Sequence, residues 1–307
     1  MRIAVLMGGP SSERDVSLKS GKAVEETLRE AGLKVIAIEV DEEVEKKLRD
    51  EKIEVAFLAL HGRYGEDGTV QEMLERLGIT YTGSGVEASR IAFDKIASKK
   101  AFLREGIDTP AFYVLEKGNK REKMISQFPF HPVIRNPLVV KPAREGSTIG
   151  VSVARKEEEY LIALDRAFQY DERILVEEYI AGREITVGIL NGSPLPIVEI
   201  LPRKEFFDFE AKYTEGLTDF KIPASLSSDV YREAQDLALK VHRILACRGV
   251  SRVDMKVNNS GKLYVLEVNT IPGMTPCSLL PKAAQAAGIS FLQLCCKLIE
   301  IALRDKA

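Results

Sequence analysis

The first eighty residues alternate short apolar runs with segments whose apolar residues recur every three or four positions. RIAVLMGG, LKVIAIEV and IEVAFLALHG read as strands, and the stretches near residues 16–31 and 42–50 carry the helical period. Short apolar strands separated by amphipathic helices predict a parallel, doubly wound sheet. In such sheets ligands gather beyond the carboxyl ends of the strands. That rule selects two polar, glycine-containing loops, GGPSSERDVS and HGRYGEDGT, which follow the first and third strands.

The pattern changes after a predicted helix over 86–105. A polar stretch, 116–137, suits a surface connection, and then come strand LVVKP, loop REGSTIG, strand VSVAR, a helix near 156–168 and strand ILVEEYI. A last unit runs from strand EITVGIL through an aromatic and charged segment, 203–222, to a helix, a strand hairpin and a final helix. The fold class is therefore α/β followed by α+β, with expected domains at 1–95, 96–181 and 182–307. A chain of 307 residues is long enough for two or three packed units.

Composition narrows the function. Formal net charge is -2, with 44 basic and 46 acidic residues interspersed, so there is no basic footprint for nucleic acid. No apolar run approaches the roughly 20 residues that span a bilayer, so no membrane segment is expected. The four cysteines show no C-x-x-C spacing and the three histidines lie far apart, which argues against a disulfide framework and a zinc centre. A cytoplasmic protein is the expectation.

The richest chemistry lies in SRVDMKVNNSGKLYVLEVNT, two alternating segments joined by a turn composition. Period two puts Arg252 and Asp254 on one side of the first strand, and Glu267 and Asn269 on one side of the second. A two-residue turn at Asn259 and Ser260 would set Arg252 opposite Glu267, with Asp254 diagonal to it. Two carboxylates and an amide are hard oxygen donors that suit Mg²⁺ or Mn²⁺. Asp254 alone would read more readily as part of a solvated sheet face, but the run into Pro272 and Gly273 points to a site rim.

A second signal is LVVKPAREGSTIGVSV, where Lys141 ends a strand and Gly146 and Gly150 flank Ser147 and Thr148. Glycines let backbone amides approach phosphate oxygens, and the lysine adds a cation. The loop joins two strands, unlike a Walker A loop, so it reads either as a flap over phosphates or as a plain hairpin turn. ILVEEYI followed by Ala181, Gly182, Arg183 and Glu184 offers carboxylates and backbone groups for a base and a ribose, although Glu177 alone fits an exposed edge strand better.

Taken in order and spacing, GGPSSERDVSLKSG, ALHGRYGEDGTVQ, YTGSG, VVKPAREGSTIGV, FEAKY, RVDM and EVNTIPGMTPCSL resemble the D-alanine:D-alanine ligases of the ATP-grasp superfamily over nearly the whole chain. The resemblance implies an N-terminal substrate-binding domain followed by a two-part ATP-grasp unit, its central part carrying the flap and its C-terminal part the metal hairpin and a mobile loop. It implies that one D-alanine carboxylate attacks the γ-phosphate of ATP and that the amine of a second D-alanine attacks the acyl phosphate, giving a dipeptide for the cell wall. Asp254, Glu267 and Asn269 match ligands of two Mg²⁺ (or Mn²⁺). Lys95 and Lys141 match lysines on the phosphates, and Glu177, Tyr179, Ile180 and Glu184 match the adenine and ribose strand.

By the same resemblance Glu13 holds the first ammonium, with His61 beside it, and Arg252 and the Gly273 N–H stabilise the tetrahedral oxyanion. Ser278 and Leu279 match the second carboxylate subsite. Ser147 and Tyr213 form a closing set with Glu13, and Lys212 reaches phosphate. The Lys212-Tyr213 pair favours a peptide product over an ester. Phe207 and Phe209 depart from the tyrosines frequent in related loops. A homodimer is also implied. The four cysteines match no family role and read as packing residues, with Cys277 beside the second subsite.

Overall fold

The segment Ile3–Gly8 (β1) is buried along its whole length, because strands flank it on both sides and helices cover both faces. In the computed structural model, which describes residues 1–118, 136–203 and 216–305, β1 pairs in parallel with Val35–Val40 (β2) and Val55–Leu58 (β3), and Thr80–Tyr81 (β4) completes the order β2-β1-β3-β4. Alternation along β1 and β3 sorts two cores. Ile3, Val5, Met7 and Phe57 face Val24 and Leu28 of Arg14–Glu30 (α1). Ala4, Leu6, Leu58 and Leu60 face Leu48 of Val44–Asp50 (α2) and Val70 and Leu74 of Thr69–Leu77 (α3).

The expected helix over 86–105 is two helices, Val86–Phe93 (α4) and Lys95–Arg104 (α5). Asp94 breaks the run. Its backbone is extended and its side chain accepts from the amides of Ile96 and Ala97, an N-cap that starts α5 afresh. Arg173 pairs with the same carboxylate. The freed N–H of Lys95 donates instead to the carbonyl of Ala143, 3.0 Å away.

A second sheet, ordered β5-β8-β6-β7, joins Phe112–Glu116 (β5), Leu138–Pro142 (β6), Ser152–Ala154 (β7) and Arg173–Glu178 (β8), all antiparallel. Glu157–Ala167 (α6) covers one face through Tyr160, Ala163 and Leu164. The register pairs Val139 with Glu177 and Lys141 with Leu175, so these four share the opposite face.

The third sheet holds Arg183–Leu190 (β9), Ser193–Pro194 (β10), Val198–Pro202 (β11), Thr218–Lys221 (β12), Val250–Val257 (β13) and Leu263–Asn269 (β14). Ser228–Ile244 (α7) packs Ala234, Ala238 and Val241 against Ile185, Val187 and Val253. Part of the expected 203–222 loop is thus the strand β12, antiparallel to β11. Lys212, Tyr213, Phe207 and Phe209 lie outside the described residues. Leu279–Ala286 (α8) and Phe291–Asp305 (α9) return to the first sheet, where Leu280, Leu294, Leu298 and Ile301 complete the core of Ile3, Val5 and Phe57.

The hairpin register differs from the expected one. Arg252 pairs with Asn269 and Asp254 with Glu267. The turn wraps around Asn258, whose Oδ1 accepts from the amides of Ser260 and Lys262, and it closes with one residue more than a two-residue turn. A regular ladder continued from the Val257–Leu263 pair would then set Leu266 opposite Asp254. A bulge between Asp254 and Met255 absorbs Leu266 and returns Glu267 to that place.

Candidate active site

Two adjacent clefts lie where the three sheets meet. The larger, of about 320 Å³, is lined by residues from all three, including Glu13, His61, Ser147 and Arg252. The smaller, of about 100 Å³, lies between the second and third sheets and is bordered by Lys95, Lys141, Glu177, Tyr179 and Ile180. Glu184, Leu266 and Glu267 border both. Both clefts are lined by five carboxylates, the smaller one also by Lys95, Lys141 and Lys256, and they share a wall at the hairpin.

Glu13 is 5% exposed and sits just before α1, in the loop after β1. Gly62 and Gly146 make room for it. A Cβ on Gly146 would lie 2.2 Å from Glu13 Oε2, and one on Gly62 would lie 2.9 Å from the same atom. Ser147 donates to Glu13 Oε1, and both Ser147 (φ +49°) and Thr148 (φ +63°) are left-handed, a conformation that costs a β-branched residue dearly. The flap holding them is tied down: Arg144 makes a two-pronged contact with Asp171 at 2.9 and 3.1 Å, and Glu145 accepts from Ser12 and Arg63.

His61 is buried, and its Nε2 lies 3.0 Å from Ser20 Oγ, which also accepts from the amide of Met274. Burial, and then the Arg252 cation, push the imidazole down to about 4, so it is neutral at pH 7. Glu66 accepts from the Gly62 amide at 2.7 Å. Burial, and then the Glu13 carboxylate, push it up to about 8. The cavity therefore sets a buried acid that keeps its proton at neutral pH beside Glu13.

On β13, Arg252 grips Asp254 at 2.9 and 2.8 Å. Thr186 donates to Asp254 Oδ1 at 2.5 Å, and Asn269 Nδ2 donates to Oδ2 at 3.1 Å. Across the bulge, Glu267 lies 3.2 Å from the Lys95 ammonium, which also donates to the carbonyl of Glu145 at 2.6 Å. Burial alone would lower Lys95, but Glu267 outweighs it and keeps the lysine charged. Gly273 and Ser278 stand together beyond the hairpin, a Cβ on the glycine falling 3.0 Å from Ser278 Oγ. Leu279 opens α8.

A divalent cation fits this donor set. Asp254 and Glu267 face each other, and Asn269 would offer Oδ1. Among the described residues no group of three or more His, Cys, Asp or Glu is placed to hold a metal, so the protein's share is two carboxylates and an amide. Mg²⁺ is usually held this way, its remaining positions taken by phosphate and water oxygens.

All the site residues expected from sequence line these clefts, except Lys212 and Tyr213, which lie outside the described residues. Sequence reasoning missed Glu66, although it lies in the selected HGRYGEDGT loop. It missed Lys99 as well, one turn beyond Lys95 on the same helix face. It did not foresee that Glu177 is 2% exposed, held by Lys141 and by Lys99 at 2.5 Å. Burial would raise Glu177, but the two lysines outweigh it and hold it below the usual carboxylate range.

Known proteins are similar to this chain in sequence and fold. A family profile described as D-ala D-ala ligase C-terminus matches residues 102–300, and one described as D-ala D-ala ligase N-terminus matches 42–84. The D-alanine:D-alanine ligase of Syntrophotalea carbinolica is 50% identical over 293 residues, covering 95% of this chain and 93% of the relative. That of Citrifermentans bemidjiense is 48% identical over 303 residues, covering 98% and 96%. The crystal structure of D-alanine:D-alanine ligase from Bacillus anthracis complexed with ATP superposes with a TM-score of 0.85 at 38% identity, covering 100% of this chain and 98% of that one.

Proposed function

The chain belongs to the D-alanine:D-alanine ligase family and is an ATP-dependent ligase that joins two D-alanine molecules, and from that membership we propose a division of labour among its cleft residues. Its product, D-alanyl-D-alanine, serves peptidoglycan precursor synthesis. Two transfers are needed. A carboxylate oxygen of the first D-alanine takes the γ-phosphoryl group of ATP, releasing ADP, and the amine of the second then displaces phosphate from the acyl phosphate and gives up a proton.

The observation that carries the assignment is the shared boundary of the two clefts, at Glu184, Leu266 and Glu267. It sets an amino-acid cavity end to end with a nucleotide cleft. Glu13 receives the first ammonium, oriented by Ser147, with neutral His61 beside it. Lys95 and Lys141 take the phosphates, and Glu177, Tyr179, Ile180 and Glu184 take adenine and ribose. Arg252 and the Gly273 N–H face the oxygen that becomes negative on amine attack, an arrangement worth about 3 kcal/mol per donor. Ser278 and Leu279, at the start of α8, hold the second carboxylate where the helix dipole favours an anion.

Asp254, Glu267 and Asn269 would hold two Mg²⁺ or Mn²⁺, which when bound neutralise phosphate charge. Lys212 and Tyr213 belong to the same proposal on family likeness, as phosphate contact and closing residue. So do domain boundaries at 95 and 181, supported by each sheet falling within one segment. A homodimer in the cytoplasm completes it, supported by family membership. No single described helix is long and apolar enough to cross a membrane, and the bent pair α8 and α9, at 102°, packs its apolar face into the first core.

Mass-spectrometric detection of D-alanyl-D-alanine from D-alanine, ATP and Mg²⁺, with phosphate release in step, tests the reading. Phosphate release with other amino acids and none with D-alanine would overturn it.

A further inference from the structure

Lys99 has no place in the division of labour above, yet it is 0% exposed, which demands a partner. Its ammonium lies 2.5 Å from Glu177 Oε2, donates to Thr109 Oγ1 at 2.6 Å, and sits 5.3 Å from the centre of the Phe112 ring. Thr109 in turn donates to the carbonyl of Val265 on β14, at 2.8 Å. Lys141 meets the other oxygen of Glu177. One buried carboxylate thus serves two ammonium groups, although one would neutralise it.

The two lysines differ in access. Lys141 borders the nucleotide cleft, whereas Lys99 lies behind Glu177 and borders neither cleft. We infer that Lys99 is a positioning residue, the standing counterion of Glu177 that frees Lys141 to turn to the nucleotide phosphates. The inference rests on the reading of Lys141 and Glu177 as nucleotide contacts. Without Lys99, the movement of Lys141 would strand a buried anion, which is strongly unfavourable. With it, Glu177 stays ionised and fixed as an acceptor at the base. Burial, opposed by Glu177 and aided by the Lys141 charge, pulls Lys99 down to about 8. Departure of Lys141 therefore leaves Lys99 more firmly charged, when it alone holds Glu177.

Steady-state kinetics on Lys99→Met, Glu177→Gln and the double variant test this. Lys99→Met should raise KM for ATP about tenfold or more while leaving KM for D-alanine within about twofold. The Lys99→Met penalty should vanish in the Glu177→Gln background, because a neutral amide needs no counterion. A normal KM for ATP in Lys99→Met, or losses that simply add in the double variant, overturns the inference. If Glu177→Gln alone leaves KM for ATP unchanged, the reading of Glu177 falls and takes the inference with it. Lys99→Gln, which keeps a donor for Thr109, carries the same test if the methionine variant does not fold.

Discussion

Asp254 and Glu267 stand directly opposite each other across the hairpin because Leu266 is bulged out of the ladder between them and the turn. The bulge adds a second extra residue to that of the Asn258 turn, which displaces the pairing by two and restores the faces, and so two carboxylates share a face with Arg252 and Asn269 beside the two clefts.

Replacing either carboxylate should silence the enzyme without unfolding it. Asp254→Asn or Glu267→Gln is expected to lower kcat at least about a hundredfold, and a chelator should do the same to the wild type, with Mn²⁺ or Mg²⁺ restoring it. Phosphate release against metal concentration measures both. Wild-type turnover in either variant contradicts the assignment.

Glu13→Gln separates the substrates. Loss of a buried acid that pairs with an ammonium should raise KM for the first D-alanine about a hundredfold, while KM for ATP stays near the wild-type value. Equal losses for both substrates would mean that Glu13 supports the fold of the cavity rather than its ligand.

Asp94→Ala removes the N-cap of α5 and the partner of Arg173. The expected loss is about 1 kcal/mol of stability, read by urea denaturation, together with a raised KM for ATP because Lys95 is the first residue of that helix. Unchanged kinetics alongside reduced stability would separate the cap from the cleft.

Stability should fall on both sides of neutrality. Glu66, raised from 4.5 to about 8, keeps in the fold a proton that the unfolded chain gives up, so its contribution is complete below 4.5 and lost as pH rises through 8. His61 and His242, lowered from 6.5 to about 4, act oppositely: their contribution is present above 6.5 and lost as pH falls through 4. Between 6.5 and about 7.5 Glu66 dominates the slope among the described residues, before Lys99, lowered from 10.5 to about 8, begins to oppose it. Thermal melts across this range should therefore flatten in Glu66→Gln, and an unchanged slope would sink the account.

The sequence made the strand and helix alternation legible, along with the hairpin and the flap, because periodicity and turn composition are local. It placed Asp254 and Glu267 on one face but with the wrong pairing, since neither the longer turn nor the bulge that adds a second residue to the shift leaves a periodic signal. The break at Asp94 was hidden for a related reason: aspartate does not interrupt a helical pattern on paper, and the partners that hold the break, Arg173 and Ala143, come from the distant second sheet. Lys95, apart from the family resemblance, reads as a solvated charge on a lysine-rich helix, and Lys99 carries no signal of its own. Their burial is set by Glu267 and Glu177, more than seventy residues away.

Helices α8 and α9 carry a demand on how the chain is made. Val5 and Phe57 belong to a core that α1 covers only in part and that Leu294, Leu298 and Ile301 finish, so one face of the early strands stays partly open until α8 and α9 are made. Contacts of such long sequence separation slow folding and prolong the exposure of apolar strands to other chains. Synthesis of this ligase thus leaves its first core unfinished until α8 and α9 are made.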